Sequence, residues 1–172
     1  LPKLSAPGLA VGLGGVGITL RDLVQLYAAL ARGGTPIALR DGIDDEPYRP
    51  ASEAGAPVLT RAAAWQVADI LADVLPPSNG SPGQVAYKTG TSYGYRDAWA
   101  VGFDGRHVIG VWIGRPDGTP VPGLSGISGA APILFEAFSR VSPRRVPLRQ
   151  APRDALIAAT AELPPPLRRF RT

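Results

Sequence analysis

The sequence predicts an α/β fold in which helices pack on an antiparallel sheet. Two apolar runs, 97–103 and 107–114, flank Asp104-Gly105, a dipeptide typical of tight hairpins because their central positions favour positive φ. A third segment, 85–91, predicts a strand just before the hairpin. Apolar residues at helical spacing lie on both sides of this block and predict the covering helices. Together these observations predict a three-stranded antiparallel meander with helices packed on it.

Threonines mark the starts of two predicted helices ahead of the strands. Thr19 begins the first helix, with Asp22 at capping-box spacing, and Gly33-Gly34 ends it. Thr60 begins the second, expected over 61–75. The apolar face of the first helix is expected to comprise Leu23, Leu26, Tyr27 and Leu30.

Further elements complete the expected framework. A short strand is expected near 37–39, in a proline-rich region. Pro132 lies near the start of a third helix that includes Phe138, and a weak helix is expected near 153–162. All three tryptophans are expected in the core: Trp65, Trp99 and Trp112.

The composition limits the chemistry available to the chain. Its 172 residues include no cysteine, which excludes disulfides, thiolate zinc sites and cysteine nucleophiles. His107 is the only histidine, so neither a histidine metal site nor a Ser-His-Asp triad is expected. We therefore expect no metal and no organic cofactor. The sequence also lacks methionine, which indicates a piece of a longer protein.

Positive charge is concentrated near the end of the chain. The region 140–172 contains eight arginines and two acidic residues, a net +6 within an overall net charge of +4. Such a cluster can bind nucleic acid or an anionic membrane surface. Its prolines favour a linker instead. We therefore interpret 1–141 as the folded portion and 142–172 as a Pro/Arg-rich linker toward a missing C-terminal domain.

The predicted strand at 85–91 carries the pattern Lys88-Thr89-Gly90-Thr91. Lys-Thr-Gly on a strand is a signature of serine β-lactamases and penicillin-binding proteins, although an ordinary strand with a surface lysine is the plain alternative. The lysine offers a positive charge to a substrate carboxylate, and the threonine hydroxyls can donate hydrogen bonds to it. The glycine lets a substrate peptide lie along the strand edge. The Thr91 N–H can then donate to an acyl carbonyl in an oxyanion hole.

Longer blocks around this motif resemble class A penicillin-binding proteins, which are bifunctional peptidoglycan glycosyltransferase/transpeptidases, and within them the 1C type. The blocks are 13–20, 87–92, 95–103 and 111–115. The likeness covers about residues 8–140. It implies that 1–141 is the C-terminal portion of a transpeptidase domain with a partial serine β-lactamase/penicillin-binding fold.

The resemblance also implies an activity. In this family a serine attacks a stem peptide that ends in D-Ala-D-Ala, D-alanine leaves, and an amine of a neighbouring stem takes the acyl group. β-Lactams mimic the stem peptide and trap the serine. The implied partners are stem peptides, β-lactams and other cell-wall synthesis proteins, and nucleic acid is not among them. Ser92, Tyr93 and Asp97 are expected to bind substrate beside the catalytic Lys88-Thr89-Gly90-Thr91.

Two family motifs, Ser-x-x-Lys and Ser-x-Asn, do not occur in this sequence. Both precede the Lys-Thr-Gly strand in the family, so we expect them in a missing N-terminal part. The chain alone is expected to form no acyl-enzyme. The longer protein, called the parent below, is expected to carry an upstream glycosyltransferase. It is also expected to lie in the periplasm, anchored to the inner membrane through the missing N-terminal part.

The glycines Gly12, Gly14 and Gly17 suggest a different function class. They match G-x-G-x-x-G and precede a helix, a spacing typical of dinucleotide-binding units for nicotinamide or flavin cofactors. Only 9–11 remain for the strand that such a unit requires, and Thr19 begins the helix two residues after the last glycine. Close packing of these glycines under the sheet is the favoured interpretation.

Overall fold

A computed structural model describes residues 8–13, 16–37, 39, 55–142 and 144–165. The main elements in chain order are α1 (Leu20–Ala31), α2 (Arg61–Ala72), β1 (Ala86–Thr91), β2 (Asp97–Phe103), β3 (Val108–Gly114) and α3 (Ala131–Val141). Short turns of 3₁₀ type lie at Leu9–Leu13 and Thr160–Glu162, and a π-turn at Gly126–Ala130 leads directly into α3.

The three strands form one antiparallel sheet in the order β1-β2-β3. Lys88 lies opposite Val101, and Gly90 lies opposite Trp99, which in turn lies opposite Trp112. The predicted α/β fold class and the meander are therefore confirmed. The strand predicted at 97–103 has the observed bounds because its apolar run is enclosed by turn residues on both sides.

One face of the sheet packs against α3 and contains most of the buried core. Tyr87 is fully buried, its ring meets Phe135 edge-on at 5.0 Å between centroids, and its hydroxyl donates to the Leu75 carbonyl. Burial raises the pKa of Tyr87, so the phenol remains a hydrogen-bond donor near neutral pH. Leu134 and Phe138 complete the helix side of this core.

The opposite face of the sheet packs against α1. A methyl group on Gly110 would lie 2.6 Å from Val24 Cγ2, so the missing side chain allows the helix to approach the strand. Tyr27 contacts Phe103 with 6.4 Å between ring centroids. Leu26, predicted on the apolar face, is 56% exposed, so that prediction is wrong. The helix is rotated so that Val24 and Tyr27 meet the sheet.

Both predicted helix starts are confirmed. The Thr19 hydroxyl accepts a hydrogen bond from the Asp22 N–H at 3.1 Å and donates to the Asp22 carboxylate at 2.8 Å. The Thr60 hydroxyl accepts from the Ala63 N–H at 3.2 Å. Each cap satisfies one of the N–H groups that a helix start leaves without an intrahelical partner.

Three predicted elements differ in the structure. Ile37 and Leu39 form no strand, and Ala38 lies outside the described residues. The second helix ends at Ala72 rather than 75, and its last helical hydrogen bond runs from the Asp73 N–H to the Asp69 carbonyl at 3.3 Å, ahead of Pro76-Pro77. Of the helix predicted at 153–162, only the 3₁₀ turn at its end is present. Leu156 is 88% and Ile157 72% exposed, so these side chains supply no packing that would stabilise a helix.

The predicted β2–β3 hairpin is present, but its turn differs from the expected type. Neither Asp104 nor Gly105 has positive φ. Instead, the buried Asp104 carboxylate accepts the N–H groups of Arg106 at 2.8 Å and His107 at 2.7 Å. Burial alone would raise the pKa of Asp104, but these hydrogen bonds outweigh it and lower the pKa. A carboxylate thus closes the turn.

The chain after α3 continues across this hairpin. The Gly105 N–H donates to the Val146 carbonyl at 2.8 Å. Arg145 donates to the carbonyls of Phe138 and Ser142, both at 2.6 Å, and lies over the Phe138 ring. The domain boundary at 141/142 stays a prediction, although this part of the predicted linker contacts the folded portion. Within the described residues, no helix combines the length and apolar character of a membrane span.

Candidate functional site

The strand β1, which carries the Lys-Thr-Gly pattern, forms one edge of the sheet. No strand of the described residues pairs with its outer side. The Ser92 N–H donates to the Asp97 carbonyl at 3.0 Å, which marks that opposed pair as hydrogen-bonded. Because hydrogen-bonded and non-hydrogen-bonded pairs alternate in an antiparallel ladder, Gly90 bonds to β2 and Thr91 does not. The N–H and C=O groups of Thr89 and Thr91 therefore point toward the open edge.

The Lys88 side chain lies on the sheet face that α1 occupies. It is exposed, and its ammonium group donates to the Thr89 carbonyl, at the open edge. Gly90 shares this face and is exposed as well. Across β2 and β3 the same face presents Trp99 and Trp112, whose rings lie 6.3 Å apart. A cation therefore stands beside an accessible backbone edge and a pair of aromatic rings.

The Thr91 hydroxyl contacts the turn that precedes α3. Its oxygen accepts a hydrogen bond from the Gly126 N–H at 2.9 Å. Gly126 is buried against the sheet, whereas Thr91 is exposed. Since a hydroxyl has one proton and two lone pairs, Thr91 retains its proton for a second partner.

Asp97 and Ser92 form the base of the β1–β2 loop. The Asp97 N–H donates to the Ser92 hydroxyl at 2.8 Å, and the Asp97 carboxylate accepts from the Trp112 indole N–H at 2.8 Å. The structure thus gives Asp97 a partner that sequence reasoning missed. Trp112 is 37% exposed, so its predicted core position is wrong. The alternation of β3 could have indicated this, because its isoleucines and Val111 occupy the other face.

The loop itself projects beyond the sheet. Tyr93 is 99% exposed. Tyr95 has a φ of 58°, and its carbonyl accepts the Val121 N–H at 2.9 Å. That bond offsets part of the cost of a left-handed conformation in a bulky residue. Of the predicted site residues, the structure brings Lys88, Thr89, Gly90 and Thr91 to one edge, with Ser92, Tyr93 and Asp97 at the adjoining loop.

A cavity of about 460 Å³ lies at the other end of the sheet. It lies between α1, α2, the Asp104 turn and the segment 148–152. Arg61 and Arg149 contribute its cationic groups, and Trp65 and Phe103 its aromatic walls. Because Phe103 pairs with Ala86, at the start of β1, this cavity is separate from the Thr91 end of the strand.

The other predicted functions find less support in the described residues. Leu9–Leu13 forms a 3₁₀ turn rather than the strand of a dinucleotide-binding unit, and Gly14 lies outside the described residues. The expected close packing of these glycines is wrong for Gly12 and Gly17, where an added methyl group would have no atom within 4 Å. The most basic part of the tail, 168–171, lies outside them too. Among the residues that the structure describes, no group of three or more histidine, cysteine or acidic side chains is arranged to hold a metal ion.

Comparison with known proteins relates this geometry to a family. The chain is 43% identical over 157 residues to penicillin-binding protein 1C of Escherichia coli, covering 89% of this chain and 20% of the relative. It is 31% identical over 149 residues to penicillin-binding protein 1B of Vibrio cholerae, covering 79% of this chain and 19% of the relative. The chain thus spans about a fifth of the length of these relatives. No protein-family model matches it.

A solved structure supports the fold independently. The 2.6 Å crystal structure of penicillin-binding protein 1A from Haemophilus influenzae superimposes with a TM-score of 0.63. The match covers 84% of this chain and 30% of that chain at 18% sequence identity. The three-stranded sheet and its helices therefore match part of a penicillin-binding transpeptidase-type fold.

Proposed function

Because the chain belongs to the class A penicillin-binding proteins, as a C-terminal part of their transpeptidase region, we propose that it forms the Lys-Thr-Gly wall of a serine transpeptidase active site. The substrates in this proposal are peptidoglycan stem peptides, and β-lactams bind in their place. One observation carries the proposal: Lys88-Thr89-Gly90-Thr91 occupies an open strand edge whose outward N–H and C=O groups belong to Thr89 and Thr91.

An open edge of this kind suits an extended peptide. A stem peptide that pairs with β1 as an added strand forms hydrogen bonds with the outward groups of Thr89 and Thr91. The exposed glycine between them leaves the approach free of a side chain. Substrate binding then continues along Ser92, Tyr93 and Asp97 at the adjoining loop. Backbone pairing supplies affinity, and the side chains beside it supply specificity.

Charge completes the binding arrangement. The terminal carboxylate of the stem peptide, or the carboxylate of a β-lactam, lies near the Lys88 ammonium and accepts from the Thr89 and Thr91 hydroxyls. The Thr91 N–H donates to the acyl carbonyl oxygen, where negative charge develops as the serine attacks. D-Alanine leaves with a proton on its amine, and the acyl-enzyme is then attacked by an amine of a second stem.

The rest of the reaction belongs to the longer protein in this proposal. The nucleophilic serine and its lysine come from an upstream Ser-x-x-Lys motif, and a further serine and asparagine from Ser-x-Asn. The parent also carries a glycosyltransferase, lies in the periplasm, and is anchored to the inner membrane through its N-terminal part. The 172-residue chain alone forms no acyl-enzyme.

Covalent labelling with a fluorescent penicillin tests the proposal. The longer protein encoded by the gene is purified beside the 172-residue chain, and both are incubated with the label and denatured. We expect a covalent label on the longer protein, prevented by prior incubation with unlabelled penicillin, and none on the chain alone. Mass spectrometry then locates the labelled serine.

Two outcomes would contradict different parts of the proposal. A folded longer protein that takes up no label contradicts the transpeptidase assignment. Labelling of the isolated chain contradicts the assignment of the nucleophile to an upstream segment.

A further inference from the structure

The π-turn at Gly126–Ala130 lies directly behind the strand that carries the proposed site. Its first residue, Gly126, is buried and comes so close to β1 that a methyl group there would lie 2.5 Å from the Gly90 carbonyl oxygen and 2.9 Å from the Gly90 nitrogen. The same methyl group would lie 2.7 Å from the Trp99 carbonyl oxygen. These are backbone atoms within the sheet, so no side-chain rotation can relieve the overlap.

We infer that Gly126 is a positioning residue that orients the Thr91 hydroxyl toward the carboxylate of the substrate. The inference rests on the proposed function of β1. Nothing in the Lys-Thr-Gly pattern points to this residue, which is 35 positions from Thr91 in sequence.

Hydrogen-bond direction supplies the first step of the argument. The Gly126 N–H can only donate, so the Thr91 oxygen is the acceptor of their 2.9 Å bond. The hydroxyl proton is therefore directed away from Gly126. Since Gly126 lies on the α3 side of the sheet and Thr91 is exposed, the proton is left for a partner at the accessible edge.

Backbone geometry supplies the second step. The turn contacts Gly90 on the sheet face opposite to the Lys88 side chain. It therefore limits how far the Gly90–Thr91 peptide can move out of the plane of the sheet. That peptide carries the Thr91 N–H proposed for the oxyanion hole. A small displacement of such a donor greatly reduces catalysis, because its stabilisation of the developing charge depends on distance.

The turn is itself held in shape by a local cap. The Ser125 hydroxyl accepts from the Ser128 N–H at 3.2 Å and lies 2.7 Å from the Ser128 hydroxyl. These bonds hold the backbone on both sides of Gly126 in place. Ser125 therefore offers a second way to disturb the turn that adds no atoms near Gly90.

Gly126→Ala in the longer protein tests the inference, with Gly129→Ala as the matched control. A methyl group on Gly129 would meet the ends of the Leu124 and Ile113 side chains, at 3.0 and 3.5 Å, and no strand backbone. Acylation rates are measured with a penicillin and with its carboxylate methyl ester. The ratio of the two rates reports on carboxylate recognition, which a general loss of folded protein leaves unchanged.

We expect Gly126→Ala to lower the penicillin rate about tenfold to a hundredfold and to reduce the penicillin-to-ester ratio about tenfold. Gly129→Ala should leave the ratio within about twofold of wild type. Thr91→Val should reduce the ratio as Gly126→Ala does, and the double variant should reduce it no further, because both act through one hydroxyl. If Gly126→Ala does not fold, Ser125→Ala tests the inference in its place. We expect Ser125→Ala to reduce the penicillin-to-ester ratio about threefold.

The outcomes separate the two proposals. A Gly126→Ala or Ser125→Ala variant that keeps the wild-type ratio, while Thr91→Val loses it, overturns the role of Gly126 and leaves the transpeptidase function standing. A wild-type longer protein that reacts with neither probe overturns the proposed function and this inference with it.

Discussion

Gly105 and Pro147 approach so closely that a methyl group on Gly105 would lie 2.1 Å from the Pro147 carbonyl oxygen. The Gly105 N–H also donates to the neighbouring Val146 carbonyl at 2.8 Å. The glycine is therefore required by tertiary contact and not by positive φ. Through it, the chain that follows α3 is attached to the β2–β3 hairpin and lines the cavity at that end of the sheet.

Gly105→Ala is expected to destabilise the protein by about 1–3 kcal/mol, because the added methyl group must displace the chain at 146–147 or the hairpin. Urea denaturation followed by circular dichroism measures the change. Gly17→Ala is the control, since a methyl group at Gly17 would have no atom within 4 Å. Equal stability of the two variants would show that the contact contributes nothing to the fold.

The buried Asp104 carboxylate is expected to make stability depend on pH. Its pKa is lowered in the folded state, so the stability it contributes is present above its unfolded pKa of about 3.9 and is lost as pH falls through the folded pKa. Asp104→Asn keeps an acceptor for the Arg106 and His107 N–H groups but removes the charge. We expect it to lower stability at pH 7 by about 1 kcal/mol and to flatten the acid limb.

Urea midpoints from pH 3 to pH 7 measure this dependence. Asp154→Asn, at an exposed position, is the control and should retain the slope of the wild-type protein. A variant at Asp104 with the same acid slope as the wild type would assign the pH dependence to other groups.

Lys88→Gln separates function from folding at the proposed site. The side chain is exposed, so stability should change by less than about 0.5 kcal/mol. Penicillin acylation of the longer protein should fall about a hundredfold, because a neutral amide stabilises the carboxylate and the developing negative charge less well than an ammonium group does. The measurement is the second-order rate of labelling with a fluorescent penicillin.

Arg106→Gln removes an exposed positive charge at the opposite end of the sheet and serves as the matched control. Its acylation rate should equal that of the wild type. A similar loss in both variants would indicate a general effect of net charge instead of a role for Lys88 in binding.

Local signals in the sequence were sufficient for most of the framework. Thr19 and Thr60 are helix caps, Asp104-Gly105 lies at a hairpin, and the Lys88-Thr89-Gly90-Thr91 pattern lies on a strand. Each of these features depends on residues within a few positions of one another, so its physical cause is visible in a short stretch of sequence.

Features that depend on distant parts of the chain could not be predicted in the same way. The contact between Gly126 and Thr91 joins a turn and a strand 35 residues apart. The exposure of Leu26 depends on a rotation of α1 that places Val24 against Gly110, and adjacent positions on a helix differ by about 100°. The aromatic character of Trp112 predicts a core position, yet its side chain is 37% exposed.

Tyr87→Phe tests how the core beneath the site is held. The Tyr87 hydroxyl is buried and donates to the Leu75 carbonyl, just before Pro76-Pro77. Removal of the hydroxyl leaves that carbonyl without its donor, and we expect a loss of about 1–3 kcal/mol in unfolding free energy. The ring contact with Phe135 remains, so the fold itself should persist.

Tyr93→Phe makes the same chemical change on a side chain that is 99% exposed, and its stability should equal that of the wild type. Urea denaturation compares the stability of the two variants, and an unchanged midpoint for Tyr87→Phe would contradict a stabilising role for the bond.

Because Tyr87 immediately precedes Lys88 on β1, the same variant also tests whether the strand that carries the proposed site is held in place by this hydroxyl. If the hydroxyl anchors the start of the strand, amide exchange in β1 should increase in Tyr87→Phe and remain unchanged in Tyr93→Phe.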